Sequence, residues 1–381
     1  MPRLVISTVG TSLLTNQIDT DDDDEWSKQL EQTANYTTDE INQYYQGIGK
    51  IINQLKQRAE EKLYDDDTDV EEIRKASAEL NGIYGLYDKK LDRGISDTHL
   101  LIATDTAQGR VTAGILESFL QHKGLTNIST CIQSDLSTKS TSTFTEGMAK
   151  LIPFIQQTIL DCKKDKYQIC FNLVGGFKAL QGYFNTIGMF YADEIIYVFE
   201  GSNEVIKIPK LPVKVDVLKV ERYKVQLAMM DVGEIPTFWE EAKKVPKEWV
   251  IIDAQEMTLS TWGKLIWNEC KDELLSQEKP LKFDKIEYTD SFHNDYKSKP
   301  SHEKITLQEN LARAACLLKK HKDGISAMKE DGIFQLRRYK GQHKDIDHFD
   351  LPKDRRVSCI AKEGTLYLRH YGEHDYVNDN P

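Results

Sequence analysis

The run Leu366 to Tyr376, LYLRHYGEHDY, concentrates histidine, arginine and tyrosine, side chains that move protons and hold phosphates without a metal. Cutting RNA with its own 2'-hydroxyl needs a base for that hydroxyl, cations beside the pentacoordinate phosphate and an acid for the leaving oxygen. Residues 337 to 376 contain all of these types: Arg337, Arg338, Lys340, His343, His348, Lys353, Arg355, Arg356, Arg369, His370, His374 and Tyr376. Far upstream stands NLVGGFK at 172 to 178, a glycine turn suited to the close approach of a phosphate. Together they suggest an RNA-cutting module governed by a nucleotide-sensing one.

Strand alternation narrows the first group. If Val357, Cys359 and Ala361 face a core, Arg356 faces outward, and if Leu366 and Leu368 face it, Arg369 lies on the open face. An open sheet face with two arginines suits an RNA phosphate, and equally describes an ordinary solvated sheet. The elements around it read as a small α+β domain from 281 to 381. They are a strand at Phe283 to Tyr288, a helix carrying Leu307, Leu311, Ala314 and Leu318, then strands near 355 to 361 and 365 to 371.

The first 220 residues alternate short apolar runs with helical patterns, which predicts a mostly parallel sheet flanked by helices. Candidate strands are Leu4 to Thr8, His99 to Ala103, Ile128 to Ile132, Tyr167 to Leu173 and Glu194 to Phe199. Three of them run into polar turns: Gly10, Thr11, Ser12 and Asn16 after the first; Asp105, Thr106 and Arg110 after the second; Gly175, Gly176 and Lys178 after the fourth. Open α/β sheets bind ligands at that carboxyl edge. The glycines permit close approach, and Arg110 and Lys178 supply charge. The other reading is that the glycines only shape tight turns and Lys178 is a solvated helix start. The acidic runs Asp19 to Glu25 and Asp65 to Asp67, in the long insertion between the first two strands, read as solvated loops.

The net charge of -11 argues against a surface coated for general nucleic-acid binding, but it is uneven. From 281 to 381 there are 19 Lys plus Arg against 17 Asp plus Glu, with seven of the nine histidines. Four of the five tryptophans (Trp239, Trp249, Trp262, Trp267) fall between 221 and 280, which reads as a packed connector. The six cysteines form no CxxC pair and no zinc-like grouping with histidine, so reduced thiols and no metal site are expected. No basic leader precedes the first strand, and no apolar run approaches the roughly 20 residues that span a bilayer. A cytoplasmic protein without a membrane partner is expected.

STVGTSLLTN at 7 to 16, ATDTAQGR at 103 to 110, NLVGGFK at 172 to 178 and YVFEG at 197 to 201 occur in the order of the CARF domain of type III CRISPR ancillary proteins, which residues 1 to 220 resemble. The resemblance implies a Rossmann-like fold and a homodimer binding a cyclic oligoadenylate, such as cyclic tetra-adenylate, across its two-fold axis. Thr11, Ser12, Asn16, Gly175, Gly176 and Lys178 match the ligand-facing motifs, and Val174 stands where a threonine is frequent. KIEYTDSF at 285 to 292, LLKKHKDG at 317 to 324, RRYKG at 337 to 341, DRRVSCIA at 354 to 361 and LYLRHYGEHDYV at 366 to 377 resemble a RelE-type toxin, closest to its histidine-using branch. That implies metal-independent cleavage of messenger RNA on the ribosome. Arg356, His374 and Tyr376 match catalytic positions, with His348 a looser match and Arg369 behind them. The spacing Arg369 to His374 also fits RxxxxH of HEPN ribonucleases, but that motif works on a helix, whereas this run is β-patterned. A ligand-gated transcription regulator and a gyrase-directed toxin of the ParE type are further alternatives.

Overall fold

The computed structural model describes residues 1–19, 24–199 and 204–381. Most of the acidic run from 19 to 25, and the last two residues of the motif at 197 to 201, lie outside the described residues. The chain forms two compact units, Met1–Val213 and Lys214–Pro381.

The first unit is built on a six-stranded sheet of β1 (Arg3–Thr8), β2 (Thr98–Ala103), β3 (Ile128–Ile132), β4 (Gln168–Asn172), β5 (Glu194–Val198) and β6 (Val205–Pro209). The order is β3-β2-β1-β4-β5-β6, parallel except for the β5/β6 pair. All five expected strands are present, because central parallel strands are buried on both faces and read as continuous apolar runs: Leu4, Val5 and Ile6 are almost wholly buried. The order reverses between β1 and β4, so the connections leaving their carboxyl ends run to opposite sides, and the crevice outside those ends is where such sheets hold nucleotides.

The insertion between β1 and β2 is helical. Thr37 and Glu40 form a reciprocal cap, with the Thr37 amide donating to Glu40 at 2.8 Å, at the start of the helix Thr38–Tyr44. The helix Gln46–Tyr64 buries Ile48, Ile51, Ile52, Leu55, Ala59 and Leu63, a 3.6-residue stripe joined to the core that includes Val5 and Leu101. Two short helices, Val70–Ala76 and Ala78–Leu86, follow, capped by Asp69 and Ser77. None of these helices is long and apolar enough to cross a membrane, nor is any other among the described residues.

In the second unit β7 (Ile235–Pro236), β8 (Val250–Asp253) and β9 (Glu256–Leu259) form a small antiparallel sheet in the order β7-β9-β8. A larger sheet contains β10 (Ile286–Tyr288), β11 (Arg337–Arg338), β12 (Asp347–Leu351), β13 (Arg355–Lys362) and β14 (Thr365–Glu373), in the order β10-β14-β13-β12-β11. Only β10 and β14 run parallel. The strands expected at 283 to 288, 355 to 361 and 365 to 371 are there, as is the helix, Ser301–Lys320. Strands β11 and β12 were not legible: one is two residues long, and the other, DHFDL, alternates acids with its apolar residues.

Residues 221 to 280, expected as a connector, lie within this unit and share one core with 281 to 381. Trp267, fully buried on the helix Thr261–Leu275, belongs to the same cluster as Leu307, Leu311, Phe349, Val357 and Tyr371. Gly263 makes that packing possible, since a β-carbon there would stand 2.0 Å from the Trp249 carbonyl oxygen. A continuous core predicts one cooperative transition for the unit. Trp267→Ala and Phe349→Ala should each cost about 3–5 kcal/mol, and denaturant unfolding followed by fluorescence and circular dichroism should show both variants shifting the same transition.

Candidate functional site

Two sites take shape, one in each unit. In the first unit the turns after β1 and β4 meet at the crevice, but what fills them comes from the insertion. The Gly10 amide donates to Glu79 Oε1 at 2.7 Å, Ser77 Oγ donates to Glu79 Oε2 at 2.5 Å, and Ser12 Oγ reaches the same oxygen at 3.5 Å. Glu79 is fully buried. A β-carbon on Gly175 would lie 1.9 Å from Glu79 Oε1, so this glycine is needed because the carboxylate occupies the space. Gly176, at φ +91°, passes so close to Gly10 that its amide would stand 3.0 Å from a β-carbon there. The turn read as an anion cradle therefore holds a carboxyl oxygen, supplied by the chain itself.

The other residues expected here are spread around this point. Asn16 donates to the carbonyls of Lys75 and Ala76, tying the first turn to the inserted helices. Thr11 precedes the short helix Ser12–Thr15 without capping it through its side chain. Thr106 caps the helix Ala107–His122 by accepting from the Gly109 amide, and Arg110 pairs with Asp105, Nη2 to Oδ1 at 2.6 Å. The Arg110 charge is thus already matched. Lys178 is exposed at the start of the helix Lys178–Tyr191.

The second site lies on the face of the larger sheet turned away from Phe349, Val357, Cys359, Leu368 and Tyr371. Pairing aligns Arg337 with His348, His348 with Ser358, and Ser358 with His370, a polar row across four strands. The next row holds Asp350, Arg356 and Gly372. A bulge sets this arrangement: Ser358 pairs with His370 but Cys359 pairs with Leu368, leaving Arg369 as the extra residue of β14. Unbroken alternation from Leu366 and Leu368 would put Arg369 on this face and His370 in the core; the bulge reverses the parity, so His370 joins the row. The Arg369 carbonyl accepts from the Ser291 and Thr289 hydroxyls, while its guanidinium has no partner among the described residues.

Arg356 departs from the outward, open placement expected of it. It does lie on the face opposite Val357, but it is only 6% exposed, held by Asp350 (Nε to Oδ1, 2.7 Å) and by Asn378 (Nη1 to Oδ1, 2.6 Å). Asp350 pairs with Arg337 as well. The helix His374–Asp379 covers this part of the face and supplies Asn378. Because Asn378 Oδ1 accepts from both Arg356 and Tyr339 (3.0 Å), its Nδ2 faces His374 Nδ1 at 3.1 Å as a donor. His374 Nδ1 also lies 3.2 Å from Asp375, whose carboxylate is 99% exposed and solvated. The half-buried amide, better sheltered than the solvated carboxylate, prevails in that competition, making Nδ1 an acceptor and leaving the proton on Nε2.

His348 lies beneath the Tyr339 ring, centroids 4.2 Å apart, and is 8% exposed. Burial, with Arg356 and Arg337 adding to it, pushes its pKa down to about 4, so it is neutral at pH 7. Its Nδ1 and the hydroxyl of its neighbour Ser358 are buried without partners among the described residues. Tyr376 lies over Gly372, whose missing side chain makes room for the ring, and donates to Asp295 Oδ1 at 2.8 Å. That bond raises the phenol pKa. Asp295 Oδ2 takes His370 Nδ1 at 3.0 Å and the Tyr371 amide at 3.1 Å.

So His348, Arg356 and His374 are joined through Tyr339 and Asn378, Tyr376 is joined to His370 through Asp295, and Arg369 stands apart. Sequence reading missed Glu79, Asp295, Tyr339 and Asn378 as parts of a site. What links them to the site is distant in the chain: Gly10 for Glu79, His370 and Tyr376 for Asp295, and Asn378 for Tyr339. The run from Arg369 to His374 leaves a strand and only then enters a helix, unlike the single helix of an HEPN motif.

Residues 74–211, about a third of the 381-residue chain, match the family model described as CRISPR-associated protein (Cas_APE2256). The matched stretch runs from the helix before Glu79 to just past β6. It supports a CRISPR-associated protein. No curated protein matches the chain.

Two outcomes follow. Glu79→Ala strands the Gly10 amide and should cost about 1–3 kcal/mol, read as a lower melting temperature of the first unit. In the second unit the unfolded chain takes up a proton at His348 near its ordinary pKa, whereas the folded chain does so only near 4. The His348 contribution is thus complete above pH 6.5 and is lost as pH falls from there toward 4; His348→Gln should flatten that part of the stability curve.

Proposed function

We propose that the chain is a messenger-RNA endoribonuclease of CRISPR-linked defence, switched on by a cyclic oligoadenylate and cutting ribosome-bound message without a metal. What carries the reading is the polar sheet face, where His370, His374 and Tyr376 are each oriented by a buried or half-buried partner. Preorganised donors and bases of this kind are what transesterification at phosphorus needs. His374, protonated on Nε2, donates toward the phosphate or its leaving oxygen, and Arg369 offers charge to the phosphate. Arg356 and His348 act behind them: the first anchors Asn378, which sets the His374 ring, and the second is a neutral, stacked support.

The sensing half of the proposal rests on the switch-point crevice, the glycine turns and the CRISPR-associated family match. In this reading a homodimer of the first unit holds the ring across its two-fold axis, and a ring phosphate meets the Gly10 amide in competition with Glu79. Cleavage of naked RNA and of ribosome-bound message, each with and without cyclic tetra-adenylate, tests it. Cutting is expected only of ribosome-bound message and only with the ring. Equal cutting of naked RNA would remove the ribosome from the account, and no cutting of either would leave a regulator or a gyrase-directed toxin. His374→Ala should lower the rate by about 10²–10⁴-fold while ring binding, measured by calorimetry, is retained.

A further inference from the structure

We infer that Asp295 and His370 form a carboxylate–imidazole dyad that serves as the general base of the cleavage, with Tyr376 held on the second oxygen of the same carboxylate. The inference deepens the proposed ribonuclease reading and rests on it for the identity of the substrate.

The argument begins with what a carboxylate can do. Asp295 side-chain oxygens only accept, so His370 Nδ1, at 3.0 Å, must carry the proton of that hydrogen bond. Its lone pair is then on Nε2. Asp295 is itself held in place, because Oδ2 also accepts from the Tyr371 amide and Oδ1 from the Tyr376 hydroxyl. Its side chain is 13% exposed, and that of His370 20%, so the pair is sheltered while the ring still reaches solvent. The Tyr376 ring stands edge-on to the imidazole, centroids 6.1 Å apart. The bulge at Arg369 is what turns His370 out of the core and into the row with Ser358, where a phosphodiester lying on the sheet would meet it. His348, in the same row, is a poor base for this task because it is buried beneath Tyr339.

In the step assigned to the dyad, His370 Nε2 takes the proton of the RNA 2'-hydroxyl as the 2'-oxygen bonds to phosphorus. The bond from phosphorus to the 5'-oxygen breaks, its electron pair stays on that oxygen, and a solvent water protonates it while His374 contributes its Nε2–H as a hydrogen-bond donor. The products are a 2',3'-cyclic phosphate and a 5'-hydroxyl, and the His370 imidazolium returns to its starting state by passing its proton to the hydroxide that the water leaves. His370 is thus a catalytic residue. Asp295 is a positioning residue that fixes the tautomer and stabilises the imidazolium formed in the step.

The test uses the full chain with cyclic tetra-adenylate and ribosome-bound message, comparing wild type, His370→Ala and Asp295→Asn. His370→Ala should slow cleavage by about 10²–10⁴-fold. Asp295→Asn should slow it by about 10–100-fold and move the acid limb of the pH–rate profile to lower pH, since an amide no longer stabilises the charged ring. Melting temperatures show that each variant is folded. Independently of any activity, the His370 ring nitrogens followed by NMR should titrate at a lower pH in Asp295→Asn than in wild type. A wild-type chain that shows this titration but cuts no RNA overturns the ribonuclease reading and leaves the dyad intact. A folded His370→Ala chain cutting within about threefold of wild type, or an unmoved acid limb in Asp295→Asn, overturns the dyad as the base.

Discussion

The pairing of β13 with β14 is the constraint on which the C-terminal site depends. A β-sheet places every second side chain on each face, so one extra residue inverts everything beyond it. Here the extra residue is Arg369. On its β14 N-terminal side Leu366 and Leu368 enter the core; on its other side Tyr371 does, and His370 is turned to the polar face. Without that inversion Tyr371 would lose its place against Val357, and the imidazole would be buried among apolar groups.

Once the face is set, two small hubs organise it. Asn378 joins Arg356 and Tyr339 to His374 and thereby decides which ring nitrogen carries the proton. Asp295 joins His370 to Tyr376 and decides the opposite tautomer. Each hub is a group whose own hydrogen bonds leave little freedom, which is how a protein holds several titratable side chains in defined protonation states close together. Arg356, whose charge is matched by Asp350 and whose head is buried, takes part by support rather than by meeting a substrate. In the first unit Glu79 plays a comparable organising part. Its carboxyl group satisfies the Gly10 amide and fills the notch of Gly175, so the chain itself occupies the crevice at the strand-order reversal.

Much of this architecture was legible from residue order. The central strands β1, β2 and β4 stand out because buried parallel strands read as apolar runs, and the helix from 301 to 320 because its apolar residues recur at helical spacing. The glycine turn at 172 to 178 and the polar turn at 10 to 16 do fall at adjacent strand ends. What was less legible lies where polar residues interrupt the pattern, as in β12, or where packing joins segments of different composition, as with the tryptophan-rich stretch and the larger sheet.

The sequence by itself determined the parallel sheet, the positions of its glycine turns and the concentration of histidine, arginine and tyrosine near the C-terminus, because local periodicity and residue type carry that information. Only the tertiary structure decided that Glu79 occupies the turn, that Arg356 is buried and that His370, with Asp295, stands where Arg369 was expected. These outcomes turn on register and on partners set apart in the chain, Gly10 with Glu79 by 69 positions, Asp295 with Tyr376 by 81 and Arg356 with Asn378 by 22, whose pairing no local pattern specifies. A single bulged residue was enough to exchange one candidate side chain for its neighbour.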